Sequence, residues 1–392
     1  MSRHGRDMTL LTSSAAVAEF CAAAAQEPFM TIDTEFLRES TYWPKLCLIQ
    51  IGLSDRAVAI DPLAEGIDLA PVWDLLGNPK VLKVFHACKQ DMELFLKITG
   101  SLPTPIFDTQ VAAMMLGLGE QIGYDSLIQQ VLNRQIDKTS QYSDWSLRPL
   151  EPQQIAYALG DVTHLYAAYG LLIDDLAQRG RTTWVEEEMK PLGRKETYEV
   201  DPDRAWMRLK IKNRTTPFLG ALKCLARWRE RFAQARDLPR SRVLKDDMLI
   251  DLAMRRPKSS EAMMRLRGVG EGLAKGKTGQ AILETLREAE TLPEHEIPTL
   301  PPKPAPVAGA VARGELLRTL LKICANQSRI APRALASSAE LDALARDPEG
   351  DFPCLQGWRG ELFGTYARNL LRGDLWLGLR NGELAALRPE QI

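Results

Sequence analysis

The hydrophobic rhythm of the chain changes near Asp201, and this change restricts it to two kinds of fold joined end to end. Before that point, apolar runs of strand length alternate with helical segments. Phe29–Asp33, Leu46–Leu53 and Ala57–Asp61 have the spacing of a three-stranded meander. Val81–His86 reads as a fourth strand, followed by a helix over Gln90–Ile98. Ile106–Phe107 reads as a brief fifth strand that leads into a helix opened by Asp108, and the pattern stays helical to about Glu188. Helices on a mixed sheet make an α/β domain over residues 1–200. Beyond Asp201 the strand-like runs stop. Amphipathic periodicity predicts helices over Leu209–Phe232, Asp246–Arg255 and Gly279–Glu290, a helical block spanning 201–292.

Six prolines between Leu292 and Pro306 mark a semi-rigid linker, taken as 293–310. After it, Gly314–Ala325, Glu340–Ala345 and Trp358–Arg372 predict a second helical block over 311–392. The two blocks share a layout, as Met264-Arg265-Leu266-Arg267-Gly268 and Pro353-Cys354-Leu355-Gln356-Gly357 illustrate. We read them as a degenerate tandem repeat, longer than solenoid periods.

The net charge of −1 argues against a nucleic-acid partner only until it is divided along the chain. Residues 1–200 carry 17 Lys and Arg against 27 Asp and Glu, residues 201–292 carry 21 against 12, and the rest balance at 12 each. An acidic block therefore precedes a basic one. No apolar run approaches the ~18–20 residues that span a bilayer. Ala15–Ala25 is interrupted by Glu19 and reads as a helix capped by Ser13 or Ser14, not as a signal peptide. Six scattered cysteines suit reduced, buried thiols, which makes the cytoplasm the expected compartment.

Three motifs carry chemistry. Asp33-Thr34-Glu35 ends the first predicted strand, and alternation turns both carboxylates to one side. Two such groups repel unless a cation lies between them, and hard oxygen ligands select Mg2+ or Mn2+. A strand-end turn with Glu35 in water is the competing reading. Asp91 falls in the first turn of the helix after Val81–His86, where the helix dipole alone also favours an acid. Tyr157 and Asp161 are four residues apart on a helix and share a face, as a surface pair would too. Gly160 between them costs up to about 1 kcal/mol against Ala, so close approach of a strand or a substrate is expected there.

Taken together and in this order, the motifs resemble the Asp-Glu-Asp-Asp exonuclease superfamily, in the subclass with a tyrosine before the last aspartate. Flanking residues narrow the resemblance to the ribonuclease D family. They are Asp33-Thr34-Glu35-Phe36-Leu37-Arg38-Glu39, Thr41-Tyr42-Trp43-Pro44, Leu48-Ile49-Gln50, Asp144-Trp145-Ser146 and Arg148-Pro149-Leu150. The basic block resembles an HRDC domain (helicase and ribonuclease D, C-terminal) through Leu225-Ala226-Arg227-Trp228-Arg229, Val243-Leu244-Lys245-Asp246-Asp247 and Leu266-Arg267-Gly268-Val269-Gly270. The last block resembles a second, divergent copy that lacks the Arg-Trp-Arg counterpart.

The resemblance implies a ribonuclease H-like α/β catalytic domain with a mixed sheet, followed by two all-α HRDC-like domains. It implies a 3′→5′ exoribonuclease that releases 5′-mononucleotides from single-stranded RNA 3′ ends, with tRNA precursors as the expected substrates. Asp33, Glu35, Asp91 and Asp161 would hold two divalent ions, Mg2+ or Mn2+. Tyr157 would orient the attacking water, because a phenol of pKa ~10 is a poor base at neutral pH. Neither a membrane nor an obligate protein partner is expected.

Candidate RNA contacts follow. Phe36, Leu37 and Tyr42 would stack on or wedge against the terminal nucleotide, or else pack beside the sheet. Trp145 and Arg148 would clamp the backbone, or else be a structural Trp and a surface Arg. Arg227, Arg229 and Lys245 are the candidates on the basic block, while Trp228 reads as a core anchor. His86 reads equally as a site residue and as a satisfied strand-end histidine. Two other functions are compatible with parts of the pattern: a proofreading-type DNA exonuclease on the same fold, and a nucleic-acid adaptor with a dead catalytic domain. The tandem helical blocks disfavour the first, and the five intact motif residues disfavour the second.

Overall fold

The computed structural model describes residues 7–300 and 305–387. Its first half contains β1 (Asp7–Leu11), β2 (Phe29–Leu37), β3 (Lys45–Gly52), β4 (Arg56–Ile60), β5 (Leu82–Phe85) and β6 (Ile106–Asp108). They form one mixed sheet in the order β1-β4-β3-β2-β5-β6. β2, β3 and β4 are the predicted antiparallel meander, and β5 and β6 join in parallel beyond β2. β1 pairs in parallel with β4, and the periodicity does not predict it: Asp-Met-Thr-Leu-Leu lacks a clean alternation.

Alternation along the strands builds a core on each face. On one side lie α1 (Ser14–Ala24), α2 (Ala70–Gly77) and α3 (Lys89–Thr99), with Ser13 capping α1 as expected. Val17, Leu75, Met92 and Phe95 pack there against Ile32, Ile49, Ile51 and Phe85. Each such side chain, fully buried, contributes about 1.5–3 kcal/mol. On the other side lie α4 (Thr109–Leu116), α5 (Tyr124–Leu132), the 27-residue α6 (Pro152–Gln178) and α7 (Thr182–Met189). α6 runs close over the sheet. The Thr31 hydroxyl donates to the Val162 carbonyl at 2.7 Å. A Cβ on Gly52 would stand 2.5 Å from Thr31 Oγ1 and 2.9 Å from that carbonyl oxygen. The chain thus needs its glycine at Gly52. At Gly160 a Cβ would meet only the His164 ring at 3.7 Å, so the expected close approach of a strand does not occur there.

The basic block comprises α8 (Thr216–Arg236), α9 (Arg240–Val243), α10 (Asp246–Arg255), α11 (Ser260–Met264), α12 (Glu271–Lys275) and α13 (Lys277–Glu290). It has its own core, which includes Trp206, Leu222, Leu225, Leu249 and Ile282, with Trp228 packed against it. Ile297 and Leu300 also pack on this core, so the Pro-rich segment begins against the block. Its residues 301–304 lie outside the described residues.

The last block contains α14 (Ala310–Ser328), α15 (Pro332–Leu335), α16 (Ser338–Arg346), α17 (Gly357–Arg359) and α18 (Thr365–Arg372). Its opening repeats that of the basic block. A long helix ends on a left-handed residue (Asp237, φ 50°; Arg329, φ 49°), then come a one-turn helix and a helix of 10 or 9 residues. It differs in two ways. It is not all-α: β7 (Trp376–Arg380) and β8 (Glu383–Leu387) form a hairpin turned by Asn381 and Gly382, both at positive φ. Asn-Gly favours this turn because both central positions need that conformation. Its core also merges with that of the first half, since Leu317, Leu320 and Leu344 cluster with Met115, Leu116, Leu172 and Val185. Arg181 donates to the carbonyls of Met115, Ser328 and Arg329, closing the C-terminal ends of α4 and α14 together.

Candidate active site

Asp33 and Glu35 leave β2 on the face beneath α6, and Asp161 descends from α6 to meet them. Carboxylate oxygens of the three lie within 4.8 Å of one another. Among the described residues no Lys or Arg is ion-paired to any of them. Burial raises the Asp161 carboxyl to about 8, with Asp33 adding repulsion, and raises Asp33 to about 6. Glu35 is driven furthest, by burial and then by the charges of Asp33, Asp161 and Asp91. Three acids that cannot all ionise alone, at this spacing and with oxygen donors only, fit a hard divalent cation.

Asp91 stands beside this group, not within it. Its carboxylate accepts from the Thr34 hydroxyl at 2.5 Å, on the other side of β2. Burial and the nearby Asp33 push it to about 8, so the two acids sense each other. Its helix is launched by a strained turn: Ala87 has φ 56°, and Asp108 accepts from Ala87 N at 3.0 Å, Cys88 N at 2.9 Å and Gln110 N at 2.8 Å. Asp108, expected only to open α4, thereby also places Asp91.

Tyr157 shares a helix face with Asp161, and burial followed by the Asp161 charge raises its pKa far above 10. Its proton is therefore held firmly, which suits a donor and not a base. A cavity of about 130 Å³ opens beside it, lined by Ile32, Asp33, His86, Tyr124, Tyr157, Asp161 and Leu165. His86 is the satisfied histidine of the two readings: its ring nitrogens lie 3.0 Å from Thr109 Oγ1 and from the Ile122 carbonyl oxygen. Tyr124 is a site residue that the motifs do not reveal. It donates to the Asp161 backbone carbonyl, and burial raises its pKa, with Asp161 and Asp33 adding to it. No periodicity links it to an aspartate 37 residues away.

Most of the candidate RNA contacts have structural partners instead. Trp145 is 2% exposed and packs behind Tyr157, ring centroids 6.2 Å apart. Arg148 grips Asp61 through two bonds of 2.6 Å and also donates to the Cys47 and Trp145 carbonyls. Tyr42 is buried and donates to Glu230 of α8, while Arg240 holds Glu230 at 2.5 and 2.6 Å and lies over the Tyr42 ring. Burial and Glu230 push the Tyr42 hydroxyl up to about 12. Arg227 pairs with Asp203 and Glu288, and buried Arg229 binds Asp246 and the Leu244 carbonyl. A phosphate would have to break these bonds to use any of these cations. Phe36 and Leu37 are half-buried, packed against the cores on either side of β2. Lys245 is exposed where α10 begins.

Residues 8–177, which carry these carboxylates and the tyrosine beside them, match the 3′-5′ exonuclease family. Residues 218–286 match the HRDC domain. Full-length similarity is more specific. The chain is 45% identical over 97% of both chains to ribonuclease D of Granulibacter bethesdensis. It is 44% identical to ribonuclease D of Gluconacetobacter diazotrophicus, over 95% of each chain. Among solved structures it resembles Escherichia coli RNase D, described as an exoribonuclease involved in structured RNA processing. That similarity has a TM-score of 0.79 at 30% identity, covering 93% of this chain and 98% of that one. The chain belongs to the ribonuclease D family and is an enzyme of that type. Its ribonuclease H-like α/β domain with a mixed sheet precedes a helical HRDC domain. Among the described residues no helix is long and apolar enough to cross a membrane.

Proposed function

We propose that this enzyme trims RNA from the 3′ end and releases 5′-mononucleotides, with Asp33, Glu35, Asp91 and Asp161 holding two divalent ions, Mg2+ or Mn2+. The observation that carries this reading is the group of three carboxylates within 4.8 Å that burial and mutual repulsion keep from ionising together. When bound, paired divalent ions activate a water and neutralise the departing 3′ oxygen. The protein supplies the rest. Tyr157 donates a hydrogen bond that orients the water, with Trp145 packed behind its ring. Arg148, three residues beyond Trp145, is anchored to Asp61. Asp91, held by the Thr34 hydroxyl beside this group, would supply the fourth carboxylate.

We divide the chain into the exonuclease domain (1–200), the HRDC domain (201–292), the linker (293–310) and a second HRDC-like module (311–392). The separate core of the basic block and the repeated helix order of the last one support this division. tRNA precursors are the proposed substrates, and the full-length likeness to an exoribonuclease of structured RNA supports them. Six free, buried cysteines suit a reducing compartment, and we place the enzyme in the cytoplasm.

The test is degradation of a labelled RNA with a single-stranded 3′ tail, under titration with Mg2+ and Mn2+. Stepwise, metal-dependent release of 5′-mononucleotides is expected. Faster loss of a matched DNA tail would reassign the substrate, and turnover in excess chelator would sink the metal site.

A further inference from the structure

Gln50 lies at the centre of β3 and is fully buried, and neither atom of its amide has a hydrogen-bond partner among the described residues. The sheet register says what it faces. Gln50 pairs with Asp33 on β2 and with Ala59 on β4, so the three side chains form a row on one face. That face is the one under α6. Leu48 and Ala59 pack there with Ala158, Leu159 and Val162, whereas Ile49 and Ile51 point into the opposite core. The next row is closed by the Thr31 hydroxyl, already committed to Val162, and by Gly52, which has no room for a side chain. Apolar side chains thus make up this part of the face, and Asp33 is the residue paired with Gln50 across the strands.

An unpaired amide in such a place is destabilising, and an apolar residue of equal volume would avoid that cost. The candidate metal ligand opposite offers a reason for retaining it. A carboxylate that gives one oxygen to a cation has a second to be oriented, and an amide N–H is a suitable donor. We propose that Gln50 is a positioning residue for the metal site: Nε2 donates to the Asp33 oxygen turned away from the cation and holds that carboxylate in its ligating orientation. This inference rests on the metal reading above.

Direct Mn2+ binding tests it, measured by calorimetry without RNA on the full-length wild type, Asp33→Asn and Gln50→Met. Wild type is expected to bind, Asp33→Asn to lose that binding, and Gln50→Met to bind roughly 10–100-fold more weakly. The metal-free melting temperature of Gln50→Met should equal or exceed that of wild type. Its kcat should recover at high Mn2+ with KM for RNA unchanged. A merely structural glutamine would not move the Mn2+ affinity, so equal affinity in Gln50→Met and wild type overturns the proposal. If Gln50→Met fails to fold, Gln50→Asn replaces it. That variant keeps the amide one methylene short of Asp33, and unchanged affinity there overturns the proposal equally. No Mn2+ binding by wild type would overturn the metal reading itself.

Discussion

Asp33, Glu35 and Asp161 stand together with no Lys or Arg ion-paired to them among the described residues, whereas Arg227, Arg229 and Arg240 of the basic block each already hold a carboxylate. Both regions are rich in charge, yet they differ in whether the clustered side chains have counterions within the chain. The difference lies in cost. Burying like charges without a counterion raises their pKa values and is sustained only where a ligand repays it, while burying opposite charges in pairs simply holds helices together. The formal charge of a segment is therefore a poor guide to what it can bind. The excess cations that remain available to phosphate on the basic block are exposed ones, such as Arg242, Lys245, Arg265, Arg267 and Lys277.

The comparison can be broken most directly at Asp33. Asp33→Asn should lower turnover by about a thousandfold or more with RNA binding retained, and a fully active variant would remove the acid cluster from the chemistry. The opposite region is tested at Arg240, where Arg240→Met leaves Glu230, 1% exposed, without its cation. Urea denaturation should show a loss of about 3 kcal/mol. A drop in RNA affinity at unchanged stability would instead make Arg240 a phosphate contact. Tyr157→Phe should cost about a hundredfold in kcat with little change in RNA affinity, and an equal loss of binding would refute its orienting role.

The acid cluster also predicts a pH dependence of the metal-free protein. Asp33 is raised to about 6, and Asp91 and Asp161 to about 8, from unfolded values near ~4. The folded state therefore retains protons that the unfolded chain releases, so stability falls as pH rises from ~4 through ~8. Mg2+ or Mn2+ binds the ionised acids, and its stabilising effect should grow over the same range. Melting curves with and without metal check both slopes, and a metal-free stability that rises across that window would contradict the burial of these acids. The smallest effect is expected at Lys245: Lys245→Ala should reduce the salt dependence of RNA binding by about one unit of slope, and an unchanged slope would leave that lysine out of the RNA path.

Much of the fold was legible in local pattern. The apolar spacing from Phe29 to Asp61 predicts the meander, Asp246–Arg255 predicts α10, and Ser13 and Asp108 are caps in the structure. The terminal hairpin was legible through Asn381-Gly382 but is overshadowed by the helical pattern before it. The site divides in the same way. Asp33 and Glu35 alternate on a strand, and Tyr157 and Asp161 are four apart on a helix, so local geometry alone pairs them. Tyr124 reaches the site, and Arg148 reaches Asp61, only across long sequence separations, and no periodicity encodes such contacts.

The pairing of Asp33 with Glu35 and of Tyr157 with Asp161 was thus determined by the sequence, because strand and helix periods fix which side chains share a face, whereas the tertiary structure set Asp91 beside Thr34. Tertiary structure decided which other polar residues remain available. Tyr42, Arg148, Arg227 and Arg229 look like RNA contacts until packing buries them wholly or in part and supplies partners. Gln50 looks like an ordinary strand residue until packing buries its amide opposite Asp33 and leaves it unpaired. Desolvation separates these cases, and desolvation depends on what the rest of the chain brings alongside.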